Sequence, residues 1–486
     1  MELSEKKFIK MTTEPVERLI VKLAVPTIVS MMVTSFYNLA DTFFVRQLEQ
    51  DSMVAAVGIV LPLMSVIQAV GFFCGQGSGN YISRAFGRKD FSDAERMAAT
   101  GFFSALLLGS IIMAFGLIFR YPLTALLGAK TEATVKSTID YMCYILAAAP
   151  FMCGSIVLNN QLRQQGNAFY AMIGLSGGAI INIVLDPIMI FEKGQAIMDG
   201  ALNIPFGLGM SVAGAACATA ISQFMSFVLL LIAAGKSDNV KIRLRNFTPN
   251  LHYFKGISQA GLPSLVRQSM GSFATACLNH AVGMYIGGDA LIEAAQAAMT
   301  GVNKIMHFLY SALIGFGQGF QPVCGFNYGA KKYERVRKAF YFCIKVGAVG
   351  ISMIAAAGFV FAESITAVLV GSSPLAAEIA CFTFRAQLIV MPLQVWVLLS
   401  NMFLQNIGLT GRATFLAMAR QGITFVPMVL LLPLITAALG ASGLLGIQLA
   451  QAASDIVAFE IALPLSLSVL NKLARGEAAD YRPATR

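Results

Sequence analysis

Charge is what this 486-residue chain has least of. Asp, Glu, Lys and Arg make up only 12% of it, about half the roughly 25% usual in soluble domains. That is too little to clothe a soluble surface of this size. Disorder is excluded by the opposite count, because 57% of the residues are hydrophobic and disordered chains are poor in them. Histidine and tryptophan are scarce as well, at 3 and 1. With three histidines no plausible Ser/His/Asp set can be assembled, and no His-Glu-x-x-His helix motif is present. Gly235-Lys236-Ser237 resembles the end of a phosphate-binding loop, but Leu230 stands where that loop requires glycine. The eight cysteines sit singly in apolar runs, without zinc or redox spacing. What remains is an integral membrane protein that is not an enzyme and draws no energy from ATP.

Each helical span needs about 20 apolar residues. Runs of that kind lie near 20–44, 53–79, 97–119, 139–161, 168–191, 209–234, 257–286, 294–319, 339–361, 382–405, 414–438 and 443–469. The net charge of +10 is distributed unevenly between the two sides. Both tails and the loops after even-numbered spans hold 25 Lys and Arg, Arg482 and Arg486 included, and the opposite loops hold only 5. That bias predicts a multi-pass protein of the cell (plasma or inner) membrane with both termini cytoplasmic. It also accounts for the basic balance without any nucleic acid.

The chain repeats itself. Gly75-Gln76-Gly77 recurs as Gly317-Gln318-Gly319, and Phe86-Gly87-Arg88-Lys89 as Tyr328-Gly329-Ala330-Lys331, both at an offset of 242. Pro150, Asn159 and Gly166 match Pro392, Asn401 and Gly408 at the same offset. Leu126-Leu127-Gly128 resembles Leu369-Val370-Gly371, and Ala24-Val25-Pro26 resembles Gly261-Leu262-Pro263. One offset held over such a distance means duplication. The expected fold is therefore all-α and polytopic, with 12 transmembrane helices in two pseudo-symmetric six-helix lobes. The N-lobe is expected at 1–235, a cytoplasmic linker at 236–256 and the C-lobe at 257–486. Such repeats place the substrate path between lobes, near the midplane. Gly71, Gly75 and Gly79 stand four apart, as helix-packing glycines do.

Charges inside spans are costly and mark ion or proton pathways. Asp41 lies late in the first span, after Tyr37 and Asn38. Asp186 lies in the fifth, and Asn182, four residues earlier, shares its helix face. Pro187 removes an amide and leaves the Ile183 carbonyl without its helical partner. Pro26 is a plausible bend point of the first span. The second half has no counterpart of Asp41, since 263–288 and 382–454 contain no acid. It carries Arg267, Arg385, Arg420 and Asp455, which read as a polar network in which Arg267 or Arg420 pairs with Asp455. Lys304 and His307 fall in the eighth span, and His307 reads as a satisfied polar residue rather than a proton relay.

These residues carry a resemblance. The chain resembles the multidrug and toxic compound extrusion (MATE) family in Tyr37-Asn38-x-x-Asp41-Thr42 and in Gly75-Gln76-Gly77 leading to Ile82-Ser83-Arg84-x-x-Gly87. Asn182-x-x-x-Asp186-Pro187 and Gly214-Ala215-Ala216-x-Ala218-Thr219 carry it further. The resemblance implies two six-helix lobes around a cleft open to one side at a time. It implies a cation or proton site at Asp41, Asn182, Asp186 and Thr219, with Tyr37, Tyr141 and Asn159 as its hydrogen-bonding surround. Another branch of the family uses a glutamate in span 7 and an aspartate in span 10. Both are missing here, which favours the branch with an N-lobe site. The implied activity is antiport of cationic or amphipathic small molecules against H⁺ or Na⁺, by alternating access, with membrane lipids as surroundings. No cofactor beyond the coupling ion and no obligate protein partner is expected. The alternative on a similar fold is a flippase for a lipid-linked or anionic lipid substrate, which Arg267 and Arg385 keep open.

Overall fold

The computed structural model describes residues 2–48, 51–197, 202–204, 206–236, 240–370 and 373–478. Arg482, Arg486, Gly371 and linker residues 237–239 lie outside these ranges. The first half contains α1 (Glu2–Thr13), α2 (Val16–Arg46), α3 (Asp51–Gly87), α4 (Phe91–Ile118), α5 (Arg120–Leu126), α6 (Glu132–Gln164), α7 (Ala168–Ile190) and α8 (Ser211–Lys236). The second contains α9 (Leu251–Tyr285), α10 (Asp289–Gly329), α11 (Tyr333–Val360), α12 (Ala362–Val370), α13 (Pro374–Asn406), α14 (Thr410–Met418), α15 (Phe425–Ala438) and α16 (Gly443–Ala474). A five-residue π turn, Ala419–Ile423, joins α14 to α15 into one long rod. Counting that rod once, twelve long helices are described, six in each half. The helices overrun the apolar stretches. At about 1.5 Å per residue, the 37 residues of α3 reach about 55 Å, well beyond a hydrocarbon core of about 30 Å.

Ten of the twelve are long and apolar enough to cross a membrane on composition alone. The other two, α9 and α10, carry Lys255, Arg267 and His280 and Asp289, Glu293, Lys304 and His307. On α4 the residues Leu107, Ile111, Phe115 and Ile118 are all exposed at helical spacing. An apolar stripe turned outward suits lipid and not water. The chain is a polytopic all-α membrane protein of twelve spanning helices. Among the described residues, the loop before α8 also carries a ribbon of two short strands, β1 (Ala196–Ile197) and β2 (Leu202–Asn203).

The repeat is visible element by element. Helix α4 spans 91–118 and α11 spans 333–360, so both ends shift by 242, and the same shift carries α6 (132–164) onto α13 (374–406). Thr131 caps α6 by accepting from the Thr134 amide, and Ser373 caps α13 from the Ala376 amide. Asn159 donates to the Ala171 carbonyl at 3.1 Å and Asn401 to the Ala413 carbonyl at 2.8 Å, the same cross-link in each half. Even the rare left-handed lysines correspond, with φ 61° at Lys89 and 57° at Lys331.

The chain forms two compact units. The first comprises 1–10 and 25–261, the second 11–24 and 262–486. Each unit therefore contains the opening turns of a helix from the other half of the sequence. In the first unit, α9 begins against α3. Gly77 meets the Ile257 backbone, Gly261 meets the Phe73 backbone, and the Tyr81 hydroxyl lies 3.0 Å from His252 Nε2. In the second, the Asn327 amide donates to the Met11 carbonyl, Lys332 to that of Thr12 and Arg335 to that of Glu14, while Gly319 packs on Ala24. Two of the three changeovers fall at Ala24/Val25 and Gly261/Leu262, close to Pro26 and Pro263. Helix α2 runs through Pro26 without interruption. In each unit one helix, α6 or α13, is the most enclosed. Against α6 lies the glycine stripe of α3. A Cβ at Gly71, Gly75 or Gly79 would meet Ile156, Asn160 or Gln164, themselves four apart.

Candidate functional site

Four helices of the first unit converge on one polar cluster: α2, α6, α7 and α8. Helix α7 contributes Asn182 and Asp186, one turn apart on its buried face. Asp186 is 0% exposed and Asn182 1%. The Asn182 amide donates to Asp186 Oδ1 at 3.2 Å and to Thr219 Oγ1 on α8 at 3.5 Å. Helix α2 brings Tyr37 and Asp41, again one turn apart. Asp41 and Asp186 lie within electrostatic reach of each other and of the hydroxyls of Tyr37 and Tyr141. Tyr141 comes from α6 and is buried. Tyr37 also meets Gln223, four residues beyond Thr219 on the same face of α8. Gln223 carries no charge to mark it in the sequence, although that spacing points to it.

Three enclosed oxygens of this cluster accept no hydrogen bond from any described residue: Asp41 Oδ1, Asn182 Oδ1 and Asp186 Oδ2. Two ionised carboxylates held this close away from water repel each other and lose hydration. The orphan oxygens form a hard, oxygen-only donor set that a Na⁺ could satisfy. Protons on the carboxyls would relieve the same cost. Pro187 sits inside α7 immediately after Asp186, so the Ile183 carbonyl has no amide partner there.

Asn159 is committed elsewhere. Its amide holds α7 through Ala171, and its oxygen accepts from Arg163 at 3.3 Å. Asn401, its repeat partner, makes the same bond to the backbone, so this pair reads as architecture common to both halves.

The second unit holds its own polar cluster. Arg420 Nε lies 3.8 Å from Asp455 Oδ1, with the side chains 24% and 1% exposed. Gln451 donates to Asp455 Oδ1 at 2.9 Å, and the Tyr310 hydroxyl reaches Oδ2 at 3.5 Å. The Arg420 guanidinium lies over the Tyr310 ring at 4.6 Å. Of the two arginines considered for Asp455, Arg420 is the one paired with it. Arg385 stands apart from this network, because it pairs at 3.1 Å with Glu363 on α12 and covers Phe359. The short helix α12, unforeseen in the sequence, supplies that partner. Gln451 and Tyr310 were also unforeseen. Gln451 stands four residues before Asp455, as Asn182 stands before Asp186, so the signal was present and unread.

The MatE family profile matches residues 26–188 and 263–431, a stretch in each half. The multidrug export protein MepA of Staphylococcus aureus (strain MRSA252) is 26% identical over 422 residues, 86% of this chain and 87% of that protein. The outward-facing structure of a multidrug resistance MATE family transporter of the MOP superfamily superposes with a TM-score of 0.86 at 26% identity. It covers 96% of this chain and 98% of that one. A MOP superfamily transporter from Pyrococcus furiosus, described as having a binding pocket of reverse polarity that suggests a different function, gives 0.85 at 26%. The coverage there is 96% and 98%.

Proposed function

The chain belongs to the MatE family, and from that premise we propose that it exports drugs and toxic compounds in exchange for H⁺ or Na⁺. The exported molecules are cationic or amphipathic, the membrane is the cell membrane, and both termini are cytoplasmic. The coupling site is the first-unit cluster of Asp41, Asn182, Asp186 and Thr219, with Tyr37 and Tyr141 around it. The observation that supports this reading is the set of three enclosed, unbonded oxygens on Asp41, Asn182 and Asp186.

The cycle rests on differential affinity between two states. A proton or Na⁺ entering from outside neutralises or occupies Asp41 and Asp186. The electrostatic cost of two enclosed carboxylates disappears, α2 shifts about Pro26, and a cationic substrate loses its counter-charge and departs. Return to the inward-open state releases the ion and restores the pair. A ligand that bound both states equally would move nothing.

Proteoliposomes loaded with a fluorescent cation, under separately imposed H⁺ and Na⁺ gradients, test this. Wild-type protein should transport under one gradient, and Asp41→Asn should abolish coupled transport while remaining monodisperse. Wild-type rates in Asp41→Asn would refute the assignment.

A further inference from the structure

The two units differ in the sign of what they enclose. The first-unit cluster holds two carboxylates and no cation among its named members. The second holds one carboxylate, Asp455, paired with Arg420, and a second guanidinium, Arg267 of α9, within electrostatic reach of Arg420. Asp455 already serves Arg420, Gln451 and Tyr310. Arg267 is part-buried and makes no hydrogen bond or ion pair with any described residue. Helix α9 presents it to the π turn. One helical turn on, a Cβ at Gly271 would stand 3.2 Å from Gln421 Oε1, and one at Gly422 would stand 3.0 Å from Met270 Sδ. Side chains of α9 and of the π turn therefore reach each other's glycines within about one turn of Arg267 and Arg420.

The π turn itself is held in place. Thr424 donates through both its amide and its hydroxyl to the Ala419 carbonyl, five residues back, at 2.9 and 2.7 Å. Ser454 Oγ, beside Asp455, donates to the Arg420 carbonyl at 3.2 Å. A π turn inserts one extra residue and re-aims the side chains around it, which is why such turns cluster at functional sites. Here the residue it carries is Arg420, whose enclosed Nε stands 3.8 Å from Asp455 Oδ1 and makes no hydrogen bond to any described residue.

We propose that Arg267 and Arg420 form an anion-binding subsite in the second unit, which takes the phosphate or carboxylate group of an amphipathic molecule. A part-buried guanidinium in a membrane span without a counter-ion is costly. A planar fork of donors matches a two-oxygen anion, and a second guanidinium beside it doubles the field. Asp455 holds Arg420 without neutralising the pair. The Met270 and Tyr310 side chains next to the subsite suit the apolar remainder of such a ligand.

Calorimetric titration of the whole protein in phosphatidylcholine nanodiscs with octyl phosphate tests this without relying on transport. Wild type should bind, sulfate should compete, and octyltrimethylammonium should not. Arg267→Met should weaken octyl phosphate at least about tenfold, or about 1.4 kcal/mol, with Arg267→Lys in between. Asp41→Asn should bind as wild type does, which separates this site from the coupling site. Nanodiscs containing a fifth phosphatidic acid identify the natural source of the anion. Competition by that lipid assigns the subsite to a headgroup, and its absence assigns it to a soluble amphiphile. Equal affinity in wild type and a monodisperse Arg267→Met would overturn the proposal. So would wild-type binding that sulfate does not touch, even if the substituted protein failed to fold.

Discussion

Among the described residues two acids are fully buried, and each has an amide one turn before it on the same helix: Asn182 for Asp186 and Gln451 for Asp455. The resemblance ends there, because Asp455 has a guanidinium at 3.8 Å and Asp186 has a second carboxylate nearby. The same local motif is thus tuned to opposite ends by what faces it. Breaking a buried pair strands the remaining charge. Asp455→Asn should destabilise by on the order of 3 kcal/mol, the low end for such a loss because Arg420 keeps some exposure. Its thermal midpoint in detergent should fall, while its proton- or Na⁺-driven transport changes less than that of Asp41→Asn. An unchanged midpoint with lost transport would move Asp455 into the coupling machinery. At this scale the sequence was most legible where charge is rarest. Asp41, Asp186 and Asp455 stand out as acids in apolar runs. Tyr310 and Gln223 did not, because tyrosine and glutamine in a span carry no such contrast.

The helices show which elements hydropathy can reveal and which it cannot. All twelve long helices were legible, since each has an apolar run long enough to cross. Helices α1, α5 and α12 were not, because each is too short to span and has no period that a surface turn would lack. The π turn at Ala419–Ile423 has no sequence signature at all. It arises where Thr424 and Ser454 compete for backbone carbonyls. The glycine stripe of α3 was legible as spacing, and the structure supplies its partner on α6. Gly75→Val should force a Cβ to within 2.9 Å of Asn160 and cost about 1–3 kcal/mol. Gly58→Ala, on the same helix with nothing within 4 Å, should be neutral or add up to about 1 kcal/mol. Thermal midpoints of the two variants compare crowding with propensity on one helix. A tolerant Gly75→Val would mean that α3 and α6 can part.

Across the whole molecule, duplication was legible in the 242-residue offset, and helix ends, caps and left-handed lysines all follow it. The exchange of helix beginnings was not. Hydropathy reports whether a segment is buried and is silent about which unit buries it. The first unit includes 251–261 and the second includes 11–24. Fragments 1–238 and 239–486, produced separately, should therefore each run as aggregates in size exclusion, and co-expression should restore monodisperse protein. A monodisperse fragment produced alone would show that the exchanged turns are dispensable.

The same exchange bears on how such a chain could have arisen. A half-length ancestor built this way would be unfinished alone and complete only beside a second copy, so its folded fraction would fall with dilution. Joining two copies through a short tether replaces that dilution-sensitive encounter with a fixed effective concentration, on the order of millimolar for a short flexible linker. Once completion no longer depends on meeting a twin, the copies no longer need to be identical. One can then keep its acids while the other gains arginines.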